Sequence, residues 1–236
     1  MTMPIVESEP VRFAGFGGKN DLLLRYTLGR RFLHLGAVGS TGGTVDDKLR
    51  AAQSSVHALL SRVSECVGVD IDEEGVKAVA EAGIFDNLLE GDVLLMSRQD
   101  IPLESIDVIV AGDIIEHLSN PGEMLERLHA FSGPSTKFII TTPNALGLPN
   151  FLRYLRGRSL EGSDHVCSFN VFSLSNLLER HAWEIESIYT CYQDLAPQLT
   201  RAAAFRVGKA LFEWQPRLGG TLFAVTRTRL PSQSGA

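Results

Sequence analysis

The 236-residue chain has few of the features that set special classes of protein apart. Its three cysteines, Cys66, Cys167 and Cys191, form neither a metal-ligand spacing nor an even disulfide set. Its 22 Lys and Arg are outnumbered by 28 Asp and Glu, and the net charge of −6 disfavours a nucleic-acid partner, which usually requires a basic face. Apolar runs are of strand length, far short of the roughly 20 residues that cross a bilayer. With no signal peptide recognisable either, we expect a cytoplasmic protein with reduced cysteines, no membrane span and no metal centre.

Strand-like apolar runs alternate with helical segments along most of the chain. The predicted strands are residues 31–35, 66–70, 107–111, 137–141, 184–192 and 221–228, with a short further strand before Asp92. The predicted helices are residues 46–63, 73–82, 121–130, 173–181 and 197–212. Such alternation indicates a parallel sheet covered on both faces. We therefore predict a Rossmann-like, doubly wound α/β fold with a mostly parallel seven-stranded sheet and an antiparallel last strand at an edge.

The composition predicts one main domain with short flanking segments. Residues 30–230 form the predicted domain, and residues 143–170 form a substrate-side insertion or lid, because Pro and Gly interrupt them after the carboxyl end of a strand. Residues 1–29 are predicted to be either a cap over the pocket or an N-terminal arm, and residues 231–236 a flexible tail.

A glycine-rich turn follows the first of these strands and suits a nucleotide-like ligand. The turn reads GAVGSTGG, with Gly36, Gly39, Gly42 and Gly43. Glycine permits a sharp turn and a close approach of the backbone to the ligand. The next strand ends at Asp70, whose ionised carboxylate can accept hydrogen bonds from both ribose hydroxyls. Asp70 can instead cap the following helix, but Asp72 directly precedes that helix and is the better cap candidate.

Two further strand ends extend the predicted pocket. Asp92 follows the short third strand, where its carboxylate can face the exocyclic amine of an adenine ring while Val93 or Leu94 packs against the ring. Gly112 and Asp113 end the next buried strand and direct the following residues into the crevice.

Several strings of this sequence carry a family resemblance. Over roughly residues 30–190 the chain resembles the core of S-adenosylmethionine-dependent methyltransferases with the Rossmann-like fold. The resemblance is carried, in chain order, by the strings VGVDID, GD, DVIVAGDIIEHLSNPGEML and FIITTPN. The resemblance implies S-adenosylmethionine as cofactor and S-adenosylhomocysteine as product. It also implies a cofactor-binding set made of Gly36, Ala37, Gly39, Asp70, Ile71, Asp92, Val93, Gly112 and Asp113.

The cofactor loop departs from the usual acid-x-Gly-x-Gly-x-Gly pattern of that family. His34 stands in place of the acid and Val38 in place of the second glycine. Gly36 and Asp70 lie 70 − 36 = 34 positions apart, more than the roughly 20 that separate loop and acid in a dinucleotide site. The sequence is similar to a subgroup with an HLGxVG loop, in which a longer, histidine-containing segment leads into the first helix, and His57 is the matching histidine.

Methyl transfer from a sulfonium requires alignment of the reactants and exclusion of water rather than a metal. A hydroxyl acceptor also requires a base, and His165 and His117 are the predicted catalytic residues because imidazole titrates near neutral pH. Asp113 and Glu116 are the less favoured candidates for this base. Each histidine has a structural alternative, as a packing or capping side chain. Asn144, Arg153 and Arg156 are the predicted substrate-binding residues. Asn144 orients a polar acceptor or ends the strand in a turn, and the arginines pair with an anionic acceptor or belong to an amphipathic lid helix.

The sequence therefore predicts a methyltransferase acting on an oxygen or nitrogen of a small metabolite or sugar, and a homodimer is compatible with it. One alternative is a non-catalytic partner subunit that kept the fold but lost the loop. Another is a nicotinamide-dependent oxidoreductase, although the sequence contains no strict G-x-G-x-x-G and no Tyr-x-x-x-Lys pair.

Overall fold

A computed structural model of the chain describes residues 12–39, 43–158, 164–192 and 202–229, without the side chains of residues 202–207. Its strands are β1 (Phe13–Gly18), β2 (Phe32–Leu35), β3 (Cys66–Asp70), β4 (Leu88–Glu90), β5 (Val108–Gly112), β6 (Lys137–Pro143), β7 (Trp183–Tyr192) and β8 (Thr221–Thr228). Its helices are α1 (Lys19–Thr27), α2 (Val45–Gln53), α3 (Val56–Leu60), α4 (Glu73–Glu81), α5 (Pro121–Leu128), α6 (Leu148–Leu155), α7 (Val171–Arg180) and α8 (Ala202–Trp214). A short 3-10 turn, Ile115–His117, follows β5.

The strands form a single sheet in the order β1-β7-β8-β6-β5-β2-β3-β4. All neighbouring pairs are parallel except those of β8, which is antiparallel to both β6 and β7. The chain runs outward from β2 to β3 and β4 and then returns to β5 on the other side of β2. The carboxyl ends of β2 and β5 therefore flank a topological switch point, where open α/β sheets bind their ligands. The predicted α/β class and the antiparallel last strand are confirmed.

Two details of the predicted sheet are wrong. The sheet has eight strands rather than seven, because Phe13–Gly18 pairs in parallel with β7. The sequence FAGFGG gave no signal for this strand, since glycine is disfavoured in strands. The last strand also does not lie at an edge: β8 lies between β6 and β7. Its residues Leu222 to Val225 are fully buried, which suits an interior strand.

Successive residues of the central strands enter two separate cores. In β2, Phe32 and Leu33 belong to different clusters, and Val108 and Ile109 of β5 alternate in the same way. Helices α5 and α7 cover one face of the sheet, and α1 and α3 cover the other. Burial of each such Leu, Ile or Phe side chain contributes about 1.5–3 kcal/mol relative to its exposure. The predicted helices on both faces are therefore confirmed.

The predicted helix over residues 46–63 is two helices, α2 and α3. The break falls at Ser54 and Ser55, where the Ser55 hydroxyl accepts a hydrogen bond from the Ala58 amide and caps α3. A serine at this position favours a new helix start over continuation of the old one. The break turns α3 back toward the turn after β2, which places His57 in the core.

The described part of the chain contains no helix with the length and apolarity needed to cross a bilayer. No disulfide joins the three cysteines, all of which lie within the described residues, and Cys66 and Cys191 are buried. Burial raises the pKa of the Cys66 thiol to about 11, so the thiol stays protonated and unreactive at neutral pH.

The predicted N-terminal segment contributes a strand and a helix, over residues 13–27, to the sheet structure. Three predicted stretches lie outside the described residues: residues 1–11, residues 197–201 of the last predicted helix, and the predicted tail 231–236.

Candidate active site

The glycine-rich turn after β2 wraps around the tip of β3. Gly36 has φ +67°, a backbone conformation that glycine adopts without strain, and its amide donates to the Val69 carbonyl at 2.9 Å. Two residues later the Val38 amide donates to Asp70 Oδ2 at 2.9 Å. Gly39 also has a positive φ, of 89°. The turn and the strand-end acid are therefore one hydrogen-bonded unit, as the predicted pocket requires, although residues 40–42 with the predicted Gly42 lie outside the described residues.

Asp70 is buried beside this turn, with 5% of its surface exposed. Its Oδ2 accepts from Val38 and its Oδ1 accepts from the Asp72 amide at 3.0 Å. A carboxylate offers about four acceptor positions, so each oxygen retains one beyond these bonds. Asp72 is the cap of α4, since its Oδ1 accepts from the Gly75 amide at 3.2 Å and from Lys48 Nζ at 2.8 Å. The prediction that Asp72 caps α4 is confirmed, whereas the ribose contact of Asp70 stays a prediction.

The unusual residues of the loop have packing partners in the core. Val38 is fully buried, and a Cβ added to Gly75 would lie 3.0 Å from its Cγ1. Ala37 is also fully buried, and a Cβ added to Gly68 would lie 2.6 Å from its methyl group. Both side chains therefore point into the protein, and only their backbone atoms remain to contact a ligand.

His34 and His57 form a neutral, buried pair beneath the loop. Their Nδ1 atoms are 3.2 Å apart and their rings are stacked. Asn87 donates from Nδ2 to the Cys66 carbonyl, so its Oδ1 accepts from His57 Nε2 at 3.1 Å. His57 Nδ1 is then an acceptor, and His34 Nδ1 donates to it. Burial lowers the pKa of both histidines, and for His34 the neighbouring His57 lowers it further.

Asp113, at the end of β5, is held by residues from two distant segments. Its Oδ2 accepts from Lys19 Nζ at 2.5 Å, and its Oδ1 accepts from Thr141 Oγ1 at 3.0 Å. Lys19 is the first residue of α1 and is only 7% exposed. The two charged residues are 94 positions apart in sequence, so no local pattern pointed to Lys19.

A cavity of about 240 Å³ lies between the tips of β2 and β5. Its walls include Gly36, Gly39, Gly112 and Asp113 of the predicted cofactor set, and His117 of the predicted catalytic pair. Lys19 and His34 also contribute to the lining. The structure therefore brings together the loop, the end of β5 and one of the two predicted catalytic histidines around a single cavity.

The remaining predicted cofactor residues lie beside Asp70 at the neighbouring strand ends. Ile71 is 65% exposed directly after Asp70. The Gly91 amide donates to the Asp70 carbonyl at 2.9 Å, which fixes the segment carrying Asp92 and Val93 next to it. Asp92 Oδ1 accepts from the amide two residues on, at 2.9 Å, in an Asx-type turn. An adenine contact by these residues stays a prediction.

His117 and His165, the two predicted catalytic residues, come together with Glu116. One possible ligand atom from each of the three side chains lies within 4.8 Å of the other two. The His117 and His165 rings meet edge-on, with centroids 4.6 Å apart. The amides of Val166 and Cys167 donate to the Glu116 carbonyl at 2.8 and 3.0 Å, which holds the His165 segment against the turn after β5.

The environment of Glu116 is the most unusual in this cluster. The residue is 1% exposed, its Oε2 accepts from Thr142 Oγ1 at 2.9 Å, and its buried Oε1 has no hydrogen-bond partner in the described part of the chain. Burial, with a smaller contribution from the Asp113 charge, raises the pKa of the Glu116 carboxyl to about 7. The sequence-based expectation of no metal-ligating cluster did not anticipate this trio, because His165 follows His117 by 48 positions and no spacing motif connects them.

The predicted substrate-binding residues fall into two environments. Asn144 is buried, and its Nδ2 donates to the Arg217 and Gly219 carbonyls at 3.2 and 2.8 Å, so it anchors the loop after β6. Arg153 lies in α6 and Arg156 is its C-cap, and both side chains are exposed. Contacts of these three residues with an acceptor stay predictions.

Comparison with known proteins gives a consistent picture of the fold. The sequence model of a family described as "Methyltransferase domain" matches residues 38–188. A SAM-dependent methyltransferase from Archaeoglobus fulgidus is similar in structure, with TM-score 0.53 and 18% identity over 89% of this chain and 95% of that one. A TehB-like SAM-dependent methyltransferase from Corynebacterium glutamicum has TM-score 0.51 and 16% identity over 88% of this chain and 84% of that one.

A third similar structure, the small RNA methyltransferase HEN1, has TM-score 0.55 and 16% identity over 91% of this chain and 25% of that one. At these identities the structural likeness shows the fold alone. No curated protein matches the chain.

Proposed function

Because the chain belongs to the methyltransferase-domain family, which it matches over residues 38–188, we propose that it transfers a methyl group from S-adenosylmethionine to an oxygen or nitrogen of a small metabolite or sugar. The observation that carries this proposal is the cavity between the tips of β2 and β5. It is bounded on one side by the left-handed Gly36 turn and on the other by Asp113.

The residues around the cavity suit the parts of this cofactor. Asp70 keeps one acceptor position on each oxygen for the two ribose hydroxyls. The exposed Ile71, with Asp92 and Val93, is proposed to contact the adenine, while the backbone of Gly36, Ala37, Gly39 and Gly112, with Asp113, surrounds the methionine moiety. Lys19 places a buried cation at that end, where the cofactor carries its carboxylate.

When bound, the cofactor supplies a methyl group whose C–S bond breaks, leaving the electron pair on sulfur, as an acceptor oxygen or nitrogen bonds the carbon. The protein aligns the acceptor and keeps water out. We assign the acceptor side to His117, which lines the cavity, and to His165 beside it. A hydroxyl acceptor must also lose a proton, and Arg153 and Arg156 are available for an anionic acceptor.

Replacement of Gly36 by alanine tests the cofactor site. A Cβ at residue 36 would lie 3.0 Å from Ile114 Cδ1, and the φ of +67° strains any side chain. Gly29 is a matched control, because its φ is +68° and an added Cβ would meet no described atom within 4 Å. Both Gly→Ala changes should cost about 1–2 kcal/mol of backbone strain. Only Gly36→Ala should weaken binding of S-adenosylmethionine, by about tenfold or more, in a calorimetric titration.

Equal affinities in Gly36→Ala and Gly29→Ala would contradict the assigned site. Absence of binding by the wild-type protein would contradict the function and favour a non-catalytic subunit. Quenching of nicotinamide fluorescence on mixing would favour an oxidoreductase. With binding established, a panel of hydroxyl and amine metabolites, analysed by mass spectrometry for a gain of one methyl group, tests the acceptor class.

A further inference from the structure

The cluster of Glu116, His117 and His165 has the donor set of a transition-metal site. It offers one carboxylate oxygen and two imidazole nitrogens, all within 4.8 Å of one another. One carboxylate with two histidines binds divalent first-row metals in both zinc and non-haem iron sites. We propose that these three residues bind a divalent transition-metal ion, such as Zn²⁺ or Mn²⁺, at the wall of the cavity.

Glu116 gives the strongest support, because one of its buried oxygens has no hydrogen-bond partner among the residues that the structure describes. The Thr142 hydroxyl donates to Oε2 at 2.9 Å, but no group in the described ranges donates to Oε1. A buried polar atom left unsatisfied costs about 1–3 kcal/mol. Native proteins keep such an atom where a ligand satisfies it, and a metal ion satisfies a carboxylate oxygen directly. The Thr142 bond would at the same time orient the carboxylate.

His117 has a carboxylate partner on the ring nitrogen that would face away from the metal, as metal-bound histidines usually do. Its Nδ1 is 3.1 Å from Asp164 Oδ2. When Nδ1–H donates to this carboxylate, Nε2 is left with its lone pair, which is the form that binds a metal. A carboxylate behind a histidine fixes the tautomer and raises the basicity of the ligand nitrogen.

The position of His165 is fixed by the backbone rather than by chance contact. The amides of the next two residues, Val166 and Cys167, both donate to the Glu116 carbonyl. The same residue that supplies the carboxylate therefore anchors the segment that supplies the second imidazole. The three donors need no rearrangement of the main chain to face one ion.

Three protein ligands leave positions for a substrate oxygen, as in catalytic metal sites. This consequence rests on the proposed function, whereas metal binding itself does not. An acceptor hydroxyl bound to the ion would lose its proton to water near neutral pH, as metal-bound water does. Its oxygen would then attack the methyl carbon while sulfur keeps the C–S electron pair. His117 and His165 would act as ligands rather than as bases, which favours an oxygen acceptor over a nitrogen one.

Titration of the chelator-treated full chain with Zn²⁺ alone and with Mn²⁺ alone, by calorimetry, tests the site. We expect one ion per chain for at least one of the two metals. Asp164→Asn should weaken metal binding by about 10–100-fold, because it removes the carboxylate that orients His117. Glu116→Gln or His165→Asn should weaken metal binding by at least as much. His181→Asn is the matched control, because His181 Nδ1 pairs with Glu126 at 3.1 Å outside the cluster and its loss should leave affinity unchanged.

Absence of binding by the wild-type chain overturns the proposal, and so does binding that survives both Glu116→Gln and His165→Asn. Circular dichroism of each metal-free variant checks folding, and His165→Asn, at a partly exposed residue, keeps the test valid if the Glu116 variant does not fold. S-adenosylmethionine binding is measured separately on the metal-free chain. Binding of S-adenosylmethionine without binding of metal would overturn this metal site alone. Binding of metal without binding of S-adenosylmethionine would overturn the proposed function alone.

Discussion

Asp113 adopts φ +54°, a left-handed conformation that costs a residue with a side chain about 1–2 kcal/mol. Its two carboxylate oxygens are engaged by Lys19 and Thr141, so contacts from α1 and β6 hold the strained turn in place. Strain of this kind persists only where the surroundings over-determine it, and it concentrates at functional sites. The sharp turn directs the following residues, with Glu116 and His117, to the edge of the cavity instead of letting β5 continue.

The buried pair of His34 and His57 predicts loss of stability in acid. Both histidines have folded-state pKa values below the ordinary 6.5 because they are buried. Below pH 6.5 the unfolded chain therefore binds more protons than the folded chain, and stability falls as the pH falls toward the lowered folded-state pKa values. Each histidine contributes up to about 1.4 kcal/mol per pH unit in that window. Urea unfolding at pH 7.5, 6.5 and 5.5 measures the slope, to which the raised pKa of the Glu116 carboxyl contributes with the opposite sign.

Replacement of His57 by asparagine should lower stability at pH 7.5 and flatten this pH dependence, because one of the two titrating groups is removed. His181→Asn, at the ion pair with Glu126, removes a histidine outside the core and is the control. A slope that is the same in wild type and His57→Asn would contradict the neutral buried pair.

At the scale of elements, helix α1 is joined to the end of β5 through one buried ion pair. Lys19, the first residue of α1, is largely shielded from water, and its partner Asp113 is partly exposed. Lys19→Met should therefore destabilise the fold by about 1–3 kcal/mol, less than the 3–5 typical of a fully buried pair. It should also weaken S-adenosylmethionine binding, since Lys19 lines the cavity. Denaturant unfolding and calorimetric titration measure the two effects.

Lys209→Met is the control for this change, because the Lys209–Glu213 pair is half-exposed within α8 and its nitrogen–oxygen distance is 3.6 Å. Exposed helix pairs contribute about 0.3–0.5 kcal/mol. If Lys19→Met cost no more than Lys209→Met, the ion pair would not fix α1 against the sheet.

The elements differ in how far the sequence predicts them. The β2 turn, the Asp70 strand end and the Asp72 cap follow local patterns a few residues long, and all three lie where predicted. Strand β1 was missed because its glycines give no strand signal, and its hydrogen bonds come from β7, some 170 residues later. Lys19 was missed as a site residue for a related reason: its contact with Asp113 spans 94 positions, and only the folded topology brings them together.

At the scale of the whole molecule, the strand order explains why one region collects the chemistry. Because β2 and β5 are neighbours and the chain reverses direction between them, the loop after each strand opens on the same side of the sheet. Helix α1 contributes Lys19 and Leu23 to the cavity wall, and the start of α3 contributes Ser55 and Val56. Residues from four separate parts of the sequence thus surround one cavity, so a ligand bound there would link them.

A ligand that links these segments should stabilise the entire fold. At a concentration 100 times its dissociation constant, S-adenosylhomocysteine should add about 2.7 kcal/mol to the free energy of unfolding. For a chain of this length that corresponds to a rise in Tm of roughly 5–10 °C, measured by differential scanning calorimetry. Gly36→Ala, with an affinity lowered about tenfold or more, should lose about half of this shift or more at the same ligand concentration, whereas Gly29→Ala should retain it. A shift produced by NADH but not by S-adenosylhomocysteine would show that the cavity serves a different cofactor, because only a molecule that binds the folded state raises Tm.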